Sequence, residues 1–249
     1  LGFFLEVYTR KSFCFSGFFL IQNQCFEGSK QGGKMIPSPT LEWENRVGYP
    51  QVIILGVDEV GRGCLAGPVV AGAVALPSVI DYEAHSWISE IKDSKGVKSE
   101  ARERLVPLIQ NWALAYGIGI ASVEEIDQIN IYHASHLAMI RAIEGARSSL
   151  APNLKQQHLL IDGKFPPKKL PCPATAVVKG DQKSLSIAAA SILAKVWRDQ
   201  QMSELDVRYP GYGFAVHKGY ATPAHSKALK QNGVCAIHRR SFSPVAALL

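Results

Sequence analysis

No apolar run in this 249-residue chain approaches the ~20 residues that a helix needs to span a bilayer. Its five cysteines (Cys14, Cys25, Cys64, Cys172 and Cys235) form no C-x-x-C pair and no zinc spacing. An odd, scattered set of thiols points to a reducing compartment, and a cytoplasmic location is the expectation. The G-K-[ST] of a Walker loop is missing beside the main glycine-rich stretch, which argues against a nucleotide-cradling phosphate-transfer enzyme. Acids are in deficit, with Asp+Glu 21 against Lys+Arg 27, leaving a net charge of +6 and a pI near 9.0. That balance favours a polyanionic partner without identifying one.

What is present divides unevenly. Seven of the ten phenylalanines fall in the first 26 residues, with no period of 2 or 3.6. Arg10-Lys11 ahead of Phe13–Ile21 weakly imitates a signal peptide, but Glu6 interrupts the basic region and no small-x-small cleavage site follows. Three readings of residues 1–34 stay open. They are upstream translation or a non-standard start, given Leu1 and Met35; an atypical, poorly ordered extension; and, last, an export signal.

The stretch from Val52 to Leu76 organises the rest. It reads as an apolar run, the acidic pair Asp58-Glu59, Arg62 between Gly61 and Gly63, and a second apolar run. Both runs have the Val, Ile, Leu and Ala content of strands buried on both faces. A carboxylate at the end of such a strand needs a cation or several hydrogen bonds, because burying it bare costs several kcal/mol. The G-R-G turn lets backbone approach a ligand and offers one fixed cationic fork. The pattern of apolar strand, acid and glycine recurs at His158–Gly163 with Asp162. It recurs again at Thr175–Asp181, where Gly180 precedes Asp181. If these strands are neighbours, their acids converge. Unit charges ~4 Å apart repel by about 4 kcal/mol at an effective dielectric of 20, so divalent ions are expected among them. All-oxygen ligands select Mg²⁺ or Mn²⁺, and a pair of such ions suits in-line phosphoryl displacement.

Between these strands the sequence predicts a helix from Ser99 to about Asn111, kinked or broken at Pro107, then a strand within Trp112–Ala121. Ser122 and Glu125 form a capping-box pattern, and Asn130 caps a further helix from Ile131 to about Arg147. Glu124, Glu125 and Asp127 read as first-turn acids, and His133 and His136 as packing or surface residues. A long helix from Ser184 to about Leu205 is apolar nearly all round and belongs against the sheet. Its Ser184, Ser186 and Ser191 could face the site, and Lys195 and Arg198 mark where it reaches solvent or substrate. Near the C-terminus, His217, Lys218, His238, Arg239 and Arg240 suggest a basic face with Tyr220 and Phe242 interleaved, a pattern suited to nucleic acid.

These motifs resemble type 2 ribonuclease H (ribonuclease HII). The likeness begins with G-V-D-E-V-G-R-G and L-A-G-P-V-V-A-G-A-V. It continues in order through D-S-K, E-E-I-D-Q-I-N-I, L-L-I-D-G, V-V-K-G-D, S-I-A-A-A-S-I-L-A-K-V-W-R-D and Y-G-F-A-V-H-K-G-Y, covering Gln51 to Val245. The resemblance implies that Asp58, Glu59, Asp162 and Asp181 carry two Mn²⁺ or Mg²⁺ ions and catalysis. It also implies that Gly61, Arg62 and Gly63 meet the ribonucleotide 2′-hydroxyl, that Tyr220 stacks on the next sugar, and that Lys95 and Lys218 join the substrate-binding set. D-S-K-G-V stands where the family usually has D-S-K-K-L, and Cys64 where it usually has proline. An Asp as the fourth acid favours type 2 over type 3.

The expected architecture is an α/β ribonuclease-H-like mixed sheet flanked by helices. Residues 1–49 are assigned to an atypical extension, 50–207 to the catalytic domain and 208–249 to a small helical substrate-binding extension. The implied activity is endonucleolytic hydrolysis of RNA in RNA–DNA hybrids and incision 5′ of ribonucleotides embedded in duplex DNA, leaving 3′-hydroxyl and 5′-phosphate ends. A monomer with no membrane partner is expected, and the sequence identifies no protein partner. The rival reading is a non-catalytic hybrid-binding protein of the same fold.

Overall fold

The two apolar runs around Asp58 become the middle of a five-stranded mixed sheet. The computed structural model describes residues 38–94, 96–151 and 156–249. The readings of residues 1–34 therefore lie outside the described residues, as does Lys95. In chain order the elements are α1 (Glu42–Arg46), β1 (Ile53–Val60), β2 (Val69–Ala75), α2 (Ser99–Trp112), β3 (Ala115–Ala121), α3 (Val123–Ser148), β4 (Gln157–Asp162), β5 (Ala174–Val177), α4 (Leu185–Arg208), α5 (Phe214–His217), α6 (Pro223–Asn232) and α7 (Ser243–Ala246). Short 3₁₀ turns occupy Ser86–Glu90 and Gly180–Gln182.

The strand order is β3-β2-β1-β4-β5, with β1 at the centre. β2 pairs antiparallel with β1 and β3, whereas β4 runs parallel to β1 and β5 parallel to β4. In the parallel register Val57 faces Ile161, so the next residues, Asp58 and Asp162, arrive at the same edge. Alternation sends Leu55 and Val57 into one core with Ala138, Ala142 and Ile143 of α3. On the opposite face, Val74 packs with Ala188, Ala189 and Ala190 of α4 and with Leu105 and Ile109 of α2.

Small residues bring helix and strand unusually close. A Cβ at Gly119 in β3 would lie 2.1 Å from Ala138 O of α3, and one at Gly56 in β1 would lie 2.1 Å from the Ser186 backbone of α4. The layers therefore meet backbone to backbone at these two points.

Local expectations mostly hold. The Ser122–Glu125 capping box is present in both directions. Asn130 adopts φ 64 within α3, and its side chain accepts from the amides of Tyr132 and His133, capping the second segment as expected. Pro107 does not break α2, which continues to Trp112. Pro107 and Glu103, whose carbonyl loses its usual donor, are both exposed, so water can serve that carbonyl. Ahead of β1, the segment from Thr40 is packed on this body, with Trp43, Val47, Tyr49 and Val52 against Ile54, Leu160, Val177 and Ile187.

We expect Gly119→Ala to destabilise the protein by about 1–3 kcal/mol through overpacking. Urea unfolding at equilibrium would measure this, with an exposed-site control such as Gly63→Ala, where a Cβ meets nothing within 4 Å.

Candidate active site

Three carboxylates meet where β1 and β4 end. Asp58, Glu59 and Asp162 each offer an oxygen within 4.8 Å of the others. Asp181, on the turn after β5, lines the same cleft of about 550 Å³ with Val60, Ser94, Ser191, Lys195 and Tyr220. Asp58 is buried deepest, with only 7% of its surface exposed. Burial first, then the neighbouring charges of Glu59, Asp162 and Asp181, push its carboxyl well above the ordinary range. Contact with Ser191 offsets a little of this, and the Ser191 and Ser94 hydroxyls share a 2.8 Å hydrogen bond. Burial also raises Glu59, although Arg62 works against it through a 3.1 Å ion pair. Asp162 accepts the Gly180 amide at 2.6 Å, which ties β4 to the turn carrying Asp181. A buried set of hard oxygens whose charges destabilise one another fits a divalent cation of the Mg²⁺ or Mn²⁺ type.

Two fully buried arginines fix the loop beside this cluster. Arg239 donates from Nη2 to Gly61 O (2.7 Å), from Nη1 to Arg62 O (2.9 Å) and from Nε to Gly67 O (3.0 Å). Arg198 donates to the carbonyls of Pro68, Lys218 and Ala66 at 3.0, 2.8 and 3.1 Å. Both were expected at the surface. Instead each planar fork donates to three carbonyls that lie outside the strands. Gly61 has φ +93, and a Cβ there would collide with Arg198 Nε at 2.2 Å. Cys64, standing where the family usually has proline, donates its amide to Gly61 O, and its thiol lies 3.6 Å from Lys218 O. The result is a rigid turn that leaves the Arg62 side chain half-exposed and Gly63 open.

The C-terminal basic face also needs correction. His217, His238 and Arg239 are buried, and Arg240 remains exposed. His225 and His217 stack at 4.3 Å, and His225 Nε2 meets His238 Nε2 at 3.1 Å. His225 Nδ1 is bonded to Tyr220 O, so these rings back the Tyr220 segment. Tyr220 is 36% exposed, and Lys195 Nζ lies 5.7 Å from its ring centroid. Lys218 Nζ turns away from the acids, donating to Asp199 O and Ser203 Oγ in a separate cavity of about 70 Å³. Asp127 accepts from the amides of Arg240 and Ser241, while Glu125 pairs with Arg141, so neither joins the acidic cleft.

With this geometry in hand, comparison with known proteins is decisive. The family described as Ribonuclease HII matches residues 55–245. The chain belongs to the ribonuclease HII family. It is 54% identical over 196 residues to Ribonuclease HII of Nitrosococcus oceani, covering 79% of this chain and 91% of that relative. Among solved structures, ribonuclease H2 from Pyrococcus horikoshii superposes with a TM-score of 0.60 at 27% identity, covering 79% of this chain and 97% of that one. A ribonuclease HIII crystallised with Mn²⁺ also gives a TM-score of 0.60 over 84% of this chain and 72% of that one. At 19% identity it attests the fold alone.

Sequence reading of this ribonuclease HII family member overlooked several residues. Ser94 figured only as part of the D-S-K motif, and Arg239 as one surface cation among several. Neither carries a local pattern that reveals its long-range partners.

The raised Asp58 carboxyl gives a pH prediction. Its folded state holds a proton more tightly than the unfolded chain, so its contribution to stability falls as pH rises above ~4. In metal-free buffer, Asp58→Asn should therefore raise Tm at pH 7, by about 2–4 °C per kcal/mol of relieved repulsion, with the gap closing in acid. His238 acts oppositely. Burial, helped by His225, lowers it to about 4. The stability it supports is complete above ~6.5 and lost as pH falls toward 4. Urea unfolding between pH 7 and 4 should show a shallower pH slope in His238→Asn than in the parent.

Proposed function

We propose that this chain is a metal-dependent endoribonuclease that hydrolyses the RNA strand of RNA–DNA hybrids and incises 5′ of ribonucleotides embedded in duplex DNA. Its products carry 3′-hydroxyl and 5′-phosphate ends. The observation that supports this most directly is the meeting of Asp58, Glu59 and Asp162 oxygens within 4.8 Å, in a cleft that also holds Asp181 and Tyr220. In this reading the four acids hold two Mn²⁺ or Mg²⁺ ions. When bound, such ions stabilise charge on the phosphoryl and leaving oxygens and lower the pKa of water.

The chain's own residues choose and place the substrate. The loop at Gly61, Arg62 and Gly63 presents fixed backbone and one half-exposed guanidinium to the ribose 2′-hydroxyl, the group that separates RNA from DNA. Because Arg239 and Arg198 lock the loop in advance, little ordering cost remains at binding. Tyr220 offers its ring to the sugar beyond the junction, with Lys195 beside it toward the phosphates. Lys218 contributes to this wall through its carbonyl, which Arg198 holds two residues before Tyr220. Lys95 is assigned to a phosphate. Residues 50–207 form the catalytic part and 208–249 the substrate-binding extension of a cytoplasmic monomer that removes misincorporated ribonucleotides and primers.

Duplex DNA carrying one ribonucleotide, incubated with Mn²⁺ or Mg²⁺, should be cut on the 5′ side of that ribonucleotide. Asp162→Asn should reduce the rate about 100-fold or more, as expected when several kcal/mol of charge stabilisation are lost. Binding without cutting in either metal would instead indicate a hybrid-binding protein. Tyr220→Ala should raise KM about 5-fold or more on the single-ribonucleotide substrate, reflecting about 1–3 kcal/mol of stacking.

A further inference from the structure

The short helix α1 precedes every acid in the cleft, yet its buried carboxylate reaches the segment that follows Asp181. Glu44 is fully buried. Its Oε1 accepts from Ser184 Oγ (2.6 Å), the Ser186 amide (2.9 Å) and Ser186 Oγ (2.8 Å). Its Oε2 has no hydrogen-bond partner among the described residues, and burial raises the carboxyl. Trp43 and, just past the helix, Val47 already give this segment its apolar contact with the body, so a buried acid is an expensive way to add adhesion. It does supply three directed bonds to one short stretch of chain.

That stretch matters because of what precedes it. Thr40 donates its amide to Lys183 O and accepts from the Leu185 amide, both at 3.1 Å. Residues 40–44 thus grip 183–186 through backbone and side chain together. The amides of Lys183 and Ser184 bond in turn to Gly180 O at 2.9 and 2.8 Å, closing the turn that carries Asp181. At its other end, the Gly180 amide is held by Asp162 Oδ1. Ser184 is also the N-cap of α4, accepting from the Ile187 amide, and α4 brings Ser191 to Asp58 two turns later. One end of the turn therefore rests on the acidic cluster and the other on Glu44.

We propose that Glu44 is a positioning residue for the acidic cluster, fixing the start of α4 and, through it, the turn that sets Asp181 opposite Asp162. This rests on the reading of Asp181 as a metal ligand. Glu44 touches neither substrate nor ion and acts through Ser184 and Ser186.

The test is Mn²⁺ binding by titration calorimetry without substrate, together with cleavage rates as Mn²⁺ and duplex concentrations are varied separately. Glu44→Ala should weaken Mn²⁺ binding about 10-fold, the scale seen for groups that orient metal ligands, and shift half-saturation of cleavage by a similar factor. KM for the duplex should stay unchanged, and excess Mn²⁺ should restore most of kcat. Glu44→Gln keeps an acceptor for Ser186 and should recover most of the affinity. Mere loss of folded protein would lower the amount of binding without moving the Mn²⁺ dependence. A folded Glu44→Ala protein with parental Mn²⁺ affinity would overturn the proposal. If that variant does not fold, the double variant Ser184→Ala/Ser186→Ala removes both hydroxyl bonds to Glu44, and parental affinity there would overturn it equally. Asp181→Asn separates the two levels. Unchanged Mn²⁺ binding in Asp181→Asn would remove the ligand reading itself, whereas weakened binding there beside a normal Glu44→Ala would remove only the brace.

Discussion

Electrostatic repulsion among carboxylates at one sheet edge is the constraint that shapes this molecule. Parallel pairing of β1 and β4 delivers Asp58 and Asp162 to the same end, and the turn after β5 adds Asp181. Unit charges a few ångströms apart repel by several kcal/mol even when partly screened, so the surrounding fold must hold together what electrostatics would separate. Apolar burial on both sheet faces supplies that restraint. Close helix–strand contacts at Gly56 and Gly119 leave little room for the layers to shift.

Around the acids, rigidity comes from polar groups that reach far along the chain. Arg198 and Arg239 bind carbonyls, a pairing that lets a buried cation replace the missing strand partners of an irregular loop. Burial lowers Arg239 only to about 10, so it remains a cation at neutral pH and keeps all of its donors. The loop proposed to meet the ribose is thus fastened before any ligand arrives. Members of the ribonuclease HII family must tell one hydroxyl group from its absence, a task for which a pre-set loop is better suited than one that folds around the substrate.

How much of this was legible beforehand depended on the range of each interaction. Strands β1, β2 and β4 announced themselves by composition, the start of α3 by its capping box, and Asp58, Glu59 and Asp162 by the recurring junction of apolar run, acid and glycine. Those signals are local. Arg198 and Arg239 were misplaced at the surface because a lone arginine in sequence looks solvated, and only tertiary structure shows that all but one of the carbonyls they bind lie 130 or more residues away. The histidines at 217 and 238 misled for the same reason. At Pro107 a local rule predicted a kink or a break, and the helix runs on unbroken because exposure on the outer face of α2 leaves water to serve the orphaned carbonyl. Glu44 was invisible because its partners lie 140 and 142 residues downstream.

The long reach of Arg239 also bears on how the protein is made. The loop at residues 61–67 leaves the ribosome well before the guanidinium that clasps it, which lies 172 to 178 residues further along the chain. Until that arginine emerges, the carbonyls of Gly61, Arg62 and Gly67 lack the three bonds it supplies. A growing polypeptide can assemble its sheet well before it can finish this corner. The shape of this corner is completed by a residue made long after the corner itself.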